Sequence, residues 1–421
     1  MSEQKLNKKV LLVSAYPSET GTLAKAVKNC GFRLIRHQSH PSEQLAQNIR
    51  MIHPDVIIWD GHSFDGSAME FITILRNSSE SHATPLYLVS RGNGDLDRYR
   101  EQLQKLDHVT MVQDPFREED LHRLLSDDLK ATVSVKFWGV RGSTPCANKE
   151  NIEYGGNTTC VQVELPFDEE LLILDSGTGI RNLGNYLTKY QKQVSGHIFI
   201  THPHWDHIQG FPFFKPIYHP GNHFHIHMPP QETGGCREIL SGHLTKTFFP
   251  VTLDMFDASL SYITQKSDHR RYNGYTVEYM KANHPINTAI YKLEIYGKTI
   301  VFAPDNELVP EPNERERELH DKLIAFCRDA DILIHDAQYN LENYQNKREW
   351  GHSPWETVVR VARSAGVDHL FLTHHDPDSD DIYLAGLDQQ IRREYGSQFR
   401  SVQMAREGVK VELEVTETVD G

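Results

Sequence analysis

Apolar and polar positions in the first third of the chain keep two alternating rhythms. Lys9–Ser14 (KVLLVS) is a short apolar run of strand type that ends in a Tyr-Pro-Ser-Glu turn. Residues 20–30 have helical spacing and stop at Gly31, and Phe32–His37 reads as a second strand. Residues 41–53 are again helical until Pro54, and 55–60 (DVIIWD) has the continuous apolar character of a buried strand. A helix over 67–76, a strand over 86–90, a helix over 96–106, a strand over 109–113 and a helix over 118–129 complete the pattern. Strands alternating with helices at this spacing predict a parallel sheet covered on both faces. A new strand begins near Val133, so a first domain is expected over residues 1–130 and a second over 131–421.

Composition agrees with a folded chain of two or three domains. Of 421 residues, 38% are hydrophobic and 24% charged, a globular balance that excludes a largely disordered or collagen-like chain. Apolar runs such as 10–15 and 56–59 fall far short of the ~20 residues that span a bilayer. The start is polar, so the expectation is a cytoplasmic protein without a membrane partner. Forty-four Lys+Arg against 58 Asp+Glu leave a formal charge of −14, and no basic block relieves it. Such a surface repels phosphate backbones, which sets the expectation against extended nucleic acid. Five scattered cysteines suggest neither a disulfide framework nor a zinc knuckle. Histidine, at 24 residues, is the unusual count, and neutral imidazole is the commonest metal ligand.

The first domain resembles a response-regulator receiver, a flavodoxin-like fold, in the order of its elements. Asp60 ends the third strand, where receivers carry the phosphoacceptor, and Ser90 stands at the Ser/Thr switch position. Ser14 and Ala15 replace the acidic pair that holds Mg²⁺ in receivers, and Asp114 replaces the Lys before Pro115-Phe116. The resemblance therefore implies a pseudo-receiver that docks a signalling partner or dimerises, with Asp60 otherwise a solvated carboxylate at a strand end.

The candidate chemistry lies in GHIFITHPHWDHIQG, from Gly196. After a strand come His202, His204, Asp206 and His207, in the pattern H-x-H-x-D-H. In extended backbone, positions i and i+2 share a face, so His202 and His204 can grip one ion. A turn at Trp205 lets Asp206 and His207 face a second. The pattern arises by chance in roughly one such sequence in two hundred. Imidazole with carboxylate suits Zn²⁺, and also Mn²⁺ or Fe²⁺.

With these motifs, residues from about 133 to 415 resemble the metallo-β-lactamase fold superfamily, an αββα sandwich. They are most similar to the branch containing ribonuclease Z and the phosphoribosyl cyclic phosphodiesterases. The resemblance implies two divalent metals. One is held by His202, His204, His284 and Asp305, the other by Asp206, His207, His374 and the bridging Asp305. His375 would replace His374 after a one-residue shift. Asp175, in LLILDS, would fix the tautomer of a ligand histidine, its alternative being a turn Asp that caps the next segment. His335-Asp336-Ala337-Gln338 resembles the His-Glu-Ala-Thr segment of ribonuclease Z, and Trp350-Gly351-His352-Ser353 its Gly-His-Ser segment. Carried over, His352 is the general acid and Asp336 its partner. Ser353-Pro354 also reads as a helix start.

The implied activity is hydrolysis of a small or cyclic nucleotide-like phosphodiester. A hydroxide bridging metals roughly 3.5–4 Å apart would attack phosphorus, with Asp206 orienting it. Arg141 and Asn157, in glycine-rich loops, are candidates for substrate contact or for structure. Residues 211–214 could floor a base pocket or, more simply, pack the core. A β-lactamase is disfavoured because no Cys lies near the second metal, and a flavo-diiron centre because His204 stands where it needs a carboxylate. Hydrolysis of a carbon ester, lactone or thioester, and a regulatory metal-binding role with receiver-mediated docking, remain as alternatives. A homodimer is compatible with the resemblance.

Overall fold

The computed structural model describes residues 7–14, 21–29, 32–38, 43–60, 66–78, 81, 83–90, 95–103, 105–113, 119, 121, 125, 130–191, 193–265 and 269–415. Ala15, Asp114–Phe116 and most of the helix expected over 118–129 lie outside them. The chain divides into two compact units. One holds Met1–Thr132 with Pro166–Asp168 and Glu414–Thr416, and the other holds Val133–Leu165, Glu169–Leu413 and Glu417–Gly421.

In the first unit, β1 (Lys9–Ser14), β2 (Arg33–Gln38), β3 (Val56–Asp60), β4 (Leu86–Ser90) and β5 (Val109–Gln113) form a parallel sheet in the order β2-β1-β3-β4-β5. This is the flavodoxin-like order. Helices Gly21–Asn29, Glu43–Ile52, Gly66–Arg76 and Asp95–Leu103 alternate with the strands. β1 and β3 are buried along their whole length, as continuous apolar runs require when both faces are covered. Asp60 is only 2% exposed, so it is an enclosed carboxylate at the strand end and not a solvated one.

The second unit opens with β6 (Thr132–Gly139), β7 (Cys160–Glu164), β8 (Leu171–Leu174), β9 (Ser195–Phe199), β10 (His223–Met228) and β11 (Ser259–Thr264). It continues with β12 (His269–Arg271), β13 (Tyr275–Lys281), β14 (Ala289–Ile295), β15 (Lys298–Ala303), β16 (Ile332–Asp336), β17 (His369–Thr373), β18 (Ser401–Met404) and β19 (Lys410–Glu414). They form two seven-stranded sheets, β11-β10-β9-β8-β7-β6-β19 and β12-β13-β14-β15-β16-β17-β18. Alternation along β6 sorts its side chains. Phe137 faces Phe371 of the other sheet at 5.1 Å, while Trp138 packs on Tyr186 of helix Gly179–Tyr190. Helices Trp355–Ala365 and Asp381–Tyr395 bury their apolar stripes in the cluster that includes Val358, Ala362, Leu384, Ile391 and Leu372. Helices thus cover two facing sheets, the layers of an αββα sandwich. No helix among the described residues is long and apolar enough to cross a membrane.

Chain direction positions the chemistry. β8 runs into Asp175, β9 into His202, β13 into His284, β15 into Asp305, β16 ends on Asp336 and β17 runs into His374. These six side chains therefore leave fixed strand ends, which limits their freedom far more than a long loop would, while Asp206 and His207 sit on the short helix Trp205–Ile208 that follows β9.

A second histidine group lies between the sheets. His227 and His197 approach at 2.8 Å, and His197 meets Glu170 at 3.2 Å. Burial, then repulsion from His197, Arg270 and His225, lowers the His227 imidazole to about 2. His227 is therefore neutral in the fold, while the unfolded chain takes up its proton below about 6.5. Its contribution to stability is present above that pH and lost as pH falls. Between pH 8 and pH 5 the loss is about 2 kcal/mol. His227→Gln should remove this part of the acid sensitivity, read as a smaller drop in the urea midpoint between the two pH values.

Candidate metal centre

Two groups of donors meet at the strand ends. His202, His204, His284 and Asp305 form one, and Asp206, His207 and His374 form the other. In the first, His202 Nε2 and His204 Nδ1 are 2.9 Å apart, and His284 Nε2 is 3.2 Å from His204 Nδ1. Asp305 Oδ2 lies 3.5 Å from His202 Nε2 and 3.7 Å from His284 Nε2. In the second, Asp206 Oδ2 lies 3.3 Å from His207 Nε2 and 3.1 Å from His374 Nε2. Asp305 Oδ1 joins this group at 3.0 and 3.2 Å from the same two nitrogens. Asp305 thus turns one oxygen to each group. Ligand atoms ~2.0–2.1 Å from a tetrahedral ion stand roughly 3.4 Å from one another, the spacing found here.

Hydrogen bonds on the far side of three rings aim their Nε2 atoms inward. His207 Nδ1 donates to Asp175 at 2.7 Å, His284 Nδ1 to the Gly351 carbonyl at 3.2 Å, and His374 Nδ1 to the Gln338 amide oxygen at 3.3 Å. Each such bond fixes the tautomer that leaves Nε2 as a lone pair. Asp175 also accepts from the Thr201 N–H and hydroxyl, so its carboxylate orients His207 and does not cap a turn. Gln338 Nε2 reaches Ser143 Oγ, and the Ser143 N–H donates to Asp206 Oδ2 at 2.7 Å.

Electrostatics test whether cations fit. His207 Nε2 and Asp305 Oδ1 are buried, 3.0 Å apart, and share no hydrogen bond. Burial opposes the ionisation of Asp206 and Asp305, yet surrounding imidazoles outweigh it and hold both well below the ordinary carboxylate range. Burial lowers the His284 imidazole to about 4 and His202 well below its ordinary value, so both are neutral. Burial would also lower His207, but Asp305, Asp206 and Asp175 together raise it well above. Three carboxylates in one dry pocket outnumber the single imidazole, His207, that they draw toward the charged form, and the neutral His202 and His284 beside ionised carboxylates are a donor set for divalent metals. The residues fit two cations.

His352 stands beside the second group. Its ring stacks on His374 with centroids 4.8 Å apart, and its Nδ1 is 3.5 Å from Asp336 Oδ2 and 3.9 Å from Asp305 Oδ2. Burial would lower this imidazole, but Asp336, Asp305 and Asp206 outweigh it and raise it to about 9. Asp336 is anchored by the N–H groups of Gln338 and Ser353. The outer edge of His352 faces a cavity of about 350 Å³.

Some expectations are redirected. Arg141 is fully enclosed, its guanidinium bound to the carbonyls of Gly155, Asp376 and Ser379, so it braces a loop and offers nothing to a substrate. Asn157 is held by Glu407 through its amide and its backbone N–H. His375 donates to the Ala405 carbonyl and belongs to neither donor group, which His374 joins instead. Phe211 and Phe214 are core residues, and only Phe213 of that patch is exposed. Ser353 does not cap the following helix. Its hydroxyl bonds Asn306 and Leu308, and Pro354 takes the cap position. Sequence reasoning missed Gln338, Gly142 and Glu307. A Cβ on Gly142 would enter the His374 ring. Glu307 is buried and accepts from the Tyr344 hydroxyl and the N–H groups of Glu349 and Gly351, fixing the turn before His352.

Comparison with known proteins follows the same residues. Positions 172–375 match the family model described as "Beta-lactamase superfamily domain". Ribonuclease Z of Haloarcula marismortui is 25% identical over 281 residues, 58% of this chain and 86% of its own. Ribonuclease Z of Staphylococcus aureus is 25% identical over 303 residues, 60% of this chain and 92% of its own. Among solved structures, the metallo-β-lactamase fold protein YhfI from Bacillus subtilis aligns at 20% identity with a TM-score of 0.47, covering 67% of this chain and all of that one.

Two substitutions probe the centre. Asp175→Ala should weaken metal binding about 10–100-fold, measured by competition with a chromophoric chelator. Gly142→Ala should displace His374 and lower the bound metal from two equivalents to one, read by elemental analysis of the gel-filtered protein.

Proposed function

Because the second domain is a metal-dependent hydrolase of the metallo-β-lactamase fold, we propose that it hydrolyses a phosphodiester, with a small or cyclic nucleotide-like substrate. The observation that carries this reading is His352, an imidazole with Asp336 3.5 Å from its Nδ1, held beside two metal-ligand groups and lining a cavity. Esters with good leaving groups need no such acid, whereas a phosphodiester expels a strongly basic alkoxide.

His202, His204, His284 and Asp305 would hold one divalent ion, and Asp206, His207, His374 and Asp305 the other. Zinc is our first assignment, with manganese or iron as alternatives. Bound there, the metals would activate water and neutralise charge on the phosphoryl oxygens. The protein does the rest. Asp305 and Asp206 keep the donor set ionised, while Asp175, Gln338 and the Gly351 carbonyl keep the imidazoles aimed. Asp336 favours the protonated form of His352, which then delivers its proton to the departing oxygen. The first domain we read as a docking module that recruits a signalling partner or a second copy. Its sheet order supports that reading, as does Ser14 at the end of β1, where a receiver has an acid.

The named relatives are ribonucleases, which counters the expectation against RNA drawn from the net charge and makes RNA a substrate to test. Purified protein loaded with Zn²⁺ or Mn²⁺ should cleave bis-p-nitrophenyl phosphate and then be compared on cyclic nucleotides, an unstructured RNA and a lactone panel. His352→Ala should lower turnover of a dinucleoside monophosphate, whose leaving group is an alkoxide, by about 10²–10⁴ with both metals retained, and that of bis-p-nitrophenyl phosphate far less. Loss of a metal in that variant would make His352 a ligand instead, since its ring also lies close to Asp305 and His374. Lactone turnover without diester turnover would overturn the proposal.

A further inference from the structure

The cavity beside His352 carries information about the group that leaves. Ser143 and Gln338, which hold Asp206 and His374, line it together with His352. An acid delivers its proton only to an atom within hydrogen-bond reach. On the phosphodiesterase reading, the leaving oxygen lies at His352, and the group attached to it fills this cavity.

Its walls describe that group. About 350 Å³ is at the small end of ligand pockets, which run roughly 300–1,000 Å³, room for one nucleoside-sized body in a pocket open to solvent. Trp350 stands at the rim with 60% of its surface exposed, an uncommon position for an indole unless it stacks on something. Lys347 Nζ sits 4.4 Å above the Tyr339 ring, and Asp376 Oδ2 meets it at 3.1 Å. The single lysine on the lining is therefore already matched by a carboxylate. Asp378 adds a second carboxylate to the lining, with no basic partner among the described residues. Arg141, behind this loop, is fully buried and turned to backbone carbonyls.

The lining thus offers an aromatic face, a lysine with donors to spare, and carboxylates that accept from hydroxyls and amino groups. Lys347 offsets one of its two carboxylates, so beyond the protonated His352 the lining carries −1, shared between the half-buried Asp376 and the exposed Asp378. A second phosphate on the leaving side would meet this field at close range, whereas a neutral sugar with a base would satisfy it. We infer that the cavity takes a neutral nucleoside as leaving group and rejects one that bears a phosphate of its own. Resting on the phosphodiesterase reading, this narrows the substrate class to diesters that end at that nucleoside, cyclic or terminal, and excludes cleavage with polynucleotide continuing on that side.

The test compares two substrates with the metal-loaded full chain. A dinucleoside monophosphate releases a neutral nucleoside whichever phosphorus–oxygen bond breaks. The same dinucleotide with an added phosphate at each end releases a charged group either way. kcat/KM should be at least about tenfold higher for the first, with most of the difference in KM. Trp350→Ala should raise KM for it at least about fivefold with kcat within twofold. Asp378→Lys should shrink or invert the preference. Equal or faster cleavage of the phosphorylated dinucleotide, or a Trp350→Ala enzyme with unchanged KM, would overturn the inference. If bis-p-nitrophenyl phosphate is cleaved but the preference is absent, this inference alone fails. If no diester is cleaved, the phosphodiesterase reading fails and this one falls with it.

Discussion

The second domain is organised around one buried charge. Asp305 is 2% exposed and shares each oxygen with a different set of imidazoles. A carboxylate so enclosed costs several kcal/mol unless positive charge is brought to it. No Lys or Arg side chain forms an ion pair with it among the described residues. His202 and His284 beside it are kept neutral by burial, so these two supply lone pairs and not charge. Divalent cations resolve both demands at once, since they neutralise the carboxylate and occupy the lone pairs. Asp206 and Asp175 deepen the deficit, and the raised His207 shows how strongly the pocket draws a positive charge when only a proton is on offer.

Holding those donors requires backbone that an unconstrained chain avoids. Asp175 and His374 both sit at positive φ, 60° and 59°, outside the ordinary range for residues with side chains. Such conformations persist only where the surroundings over-determine them. Here Asp175 is fixed by Thr201 and His207, and His374 follows a fully buried strand and presses on Gly142. Gly351, at φ +90°, lets the main chain approach His284 closely enough for its carbonyl to accept from Nδ1. The two sheets and their helices thus hold the ligands in place before any metal arrives, so binding needs little reorganisation.

How much of this was legible in the sequence depends on distance along the chain. β1 and β4 lie where their apolar runs place them, because a strand covered on both faces is apolar throughout. His202, His204, Asp206 and His207 were visible as a local pattern, since two donors per ion can be set by the spacing of an extended segment and a turn. His284, Asp305 and His374 follow from no local rule, and only resemblance pointed to them. Arg141 stayed open between substrate contact and structure for a related reason. A glycine-rich loop that cradles phosphate and one that buries a guanidinium against carbonyls share a composition, and only tertiary packing separates them. Asp60 looked solvated because nothing in a strand end announces what covers it. Gln338, Gly142 and Glu307 each act through a residue remote in sequence, so no pattern exposed them.

The distribution of charge gives the domain's two ends of reaction different tastes. With metals bound, the ligand groups become the strongest positive field in a chain of net charge −14, and an anionic diester is drawn there. A few ångströms away, past His352, the lining turns acidic through Asp376 and Asp378. Attraction at phosphorus and repulsion just beyond it discriminate in a way that neither achieves alone. On the inferred reading, a single diester phosphate benefits from the first and escapes the second, while each further phosphate on the leaving side meets the half-buried Asp376 and the exposed Asp378. The specificity for small diesters inferred above would then need no dedicated recognition of length, because the field itself would measure how much negative charge accompanies the bond to be broken.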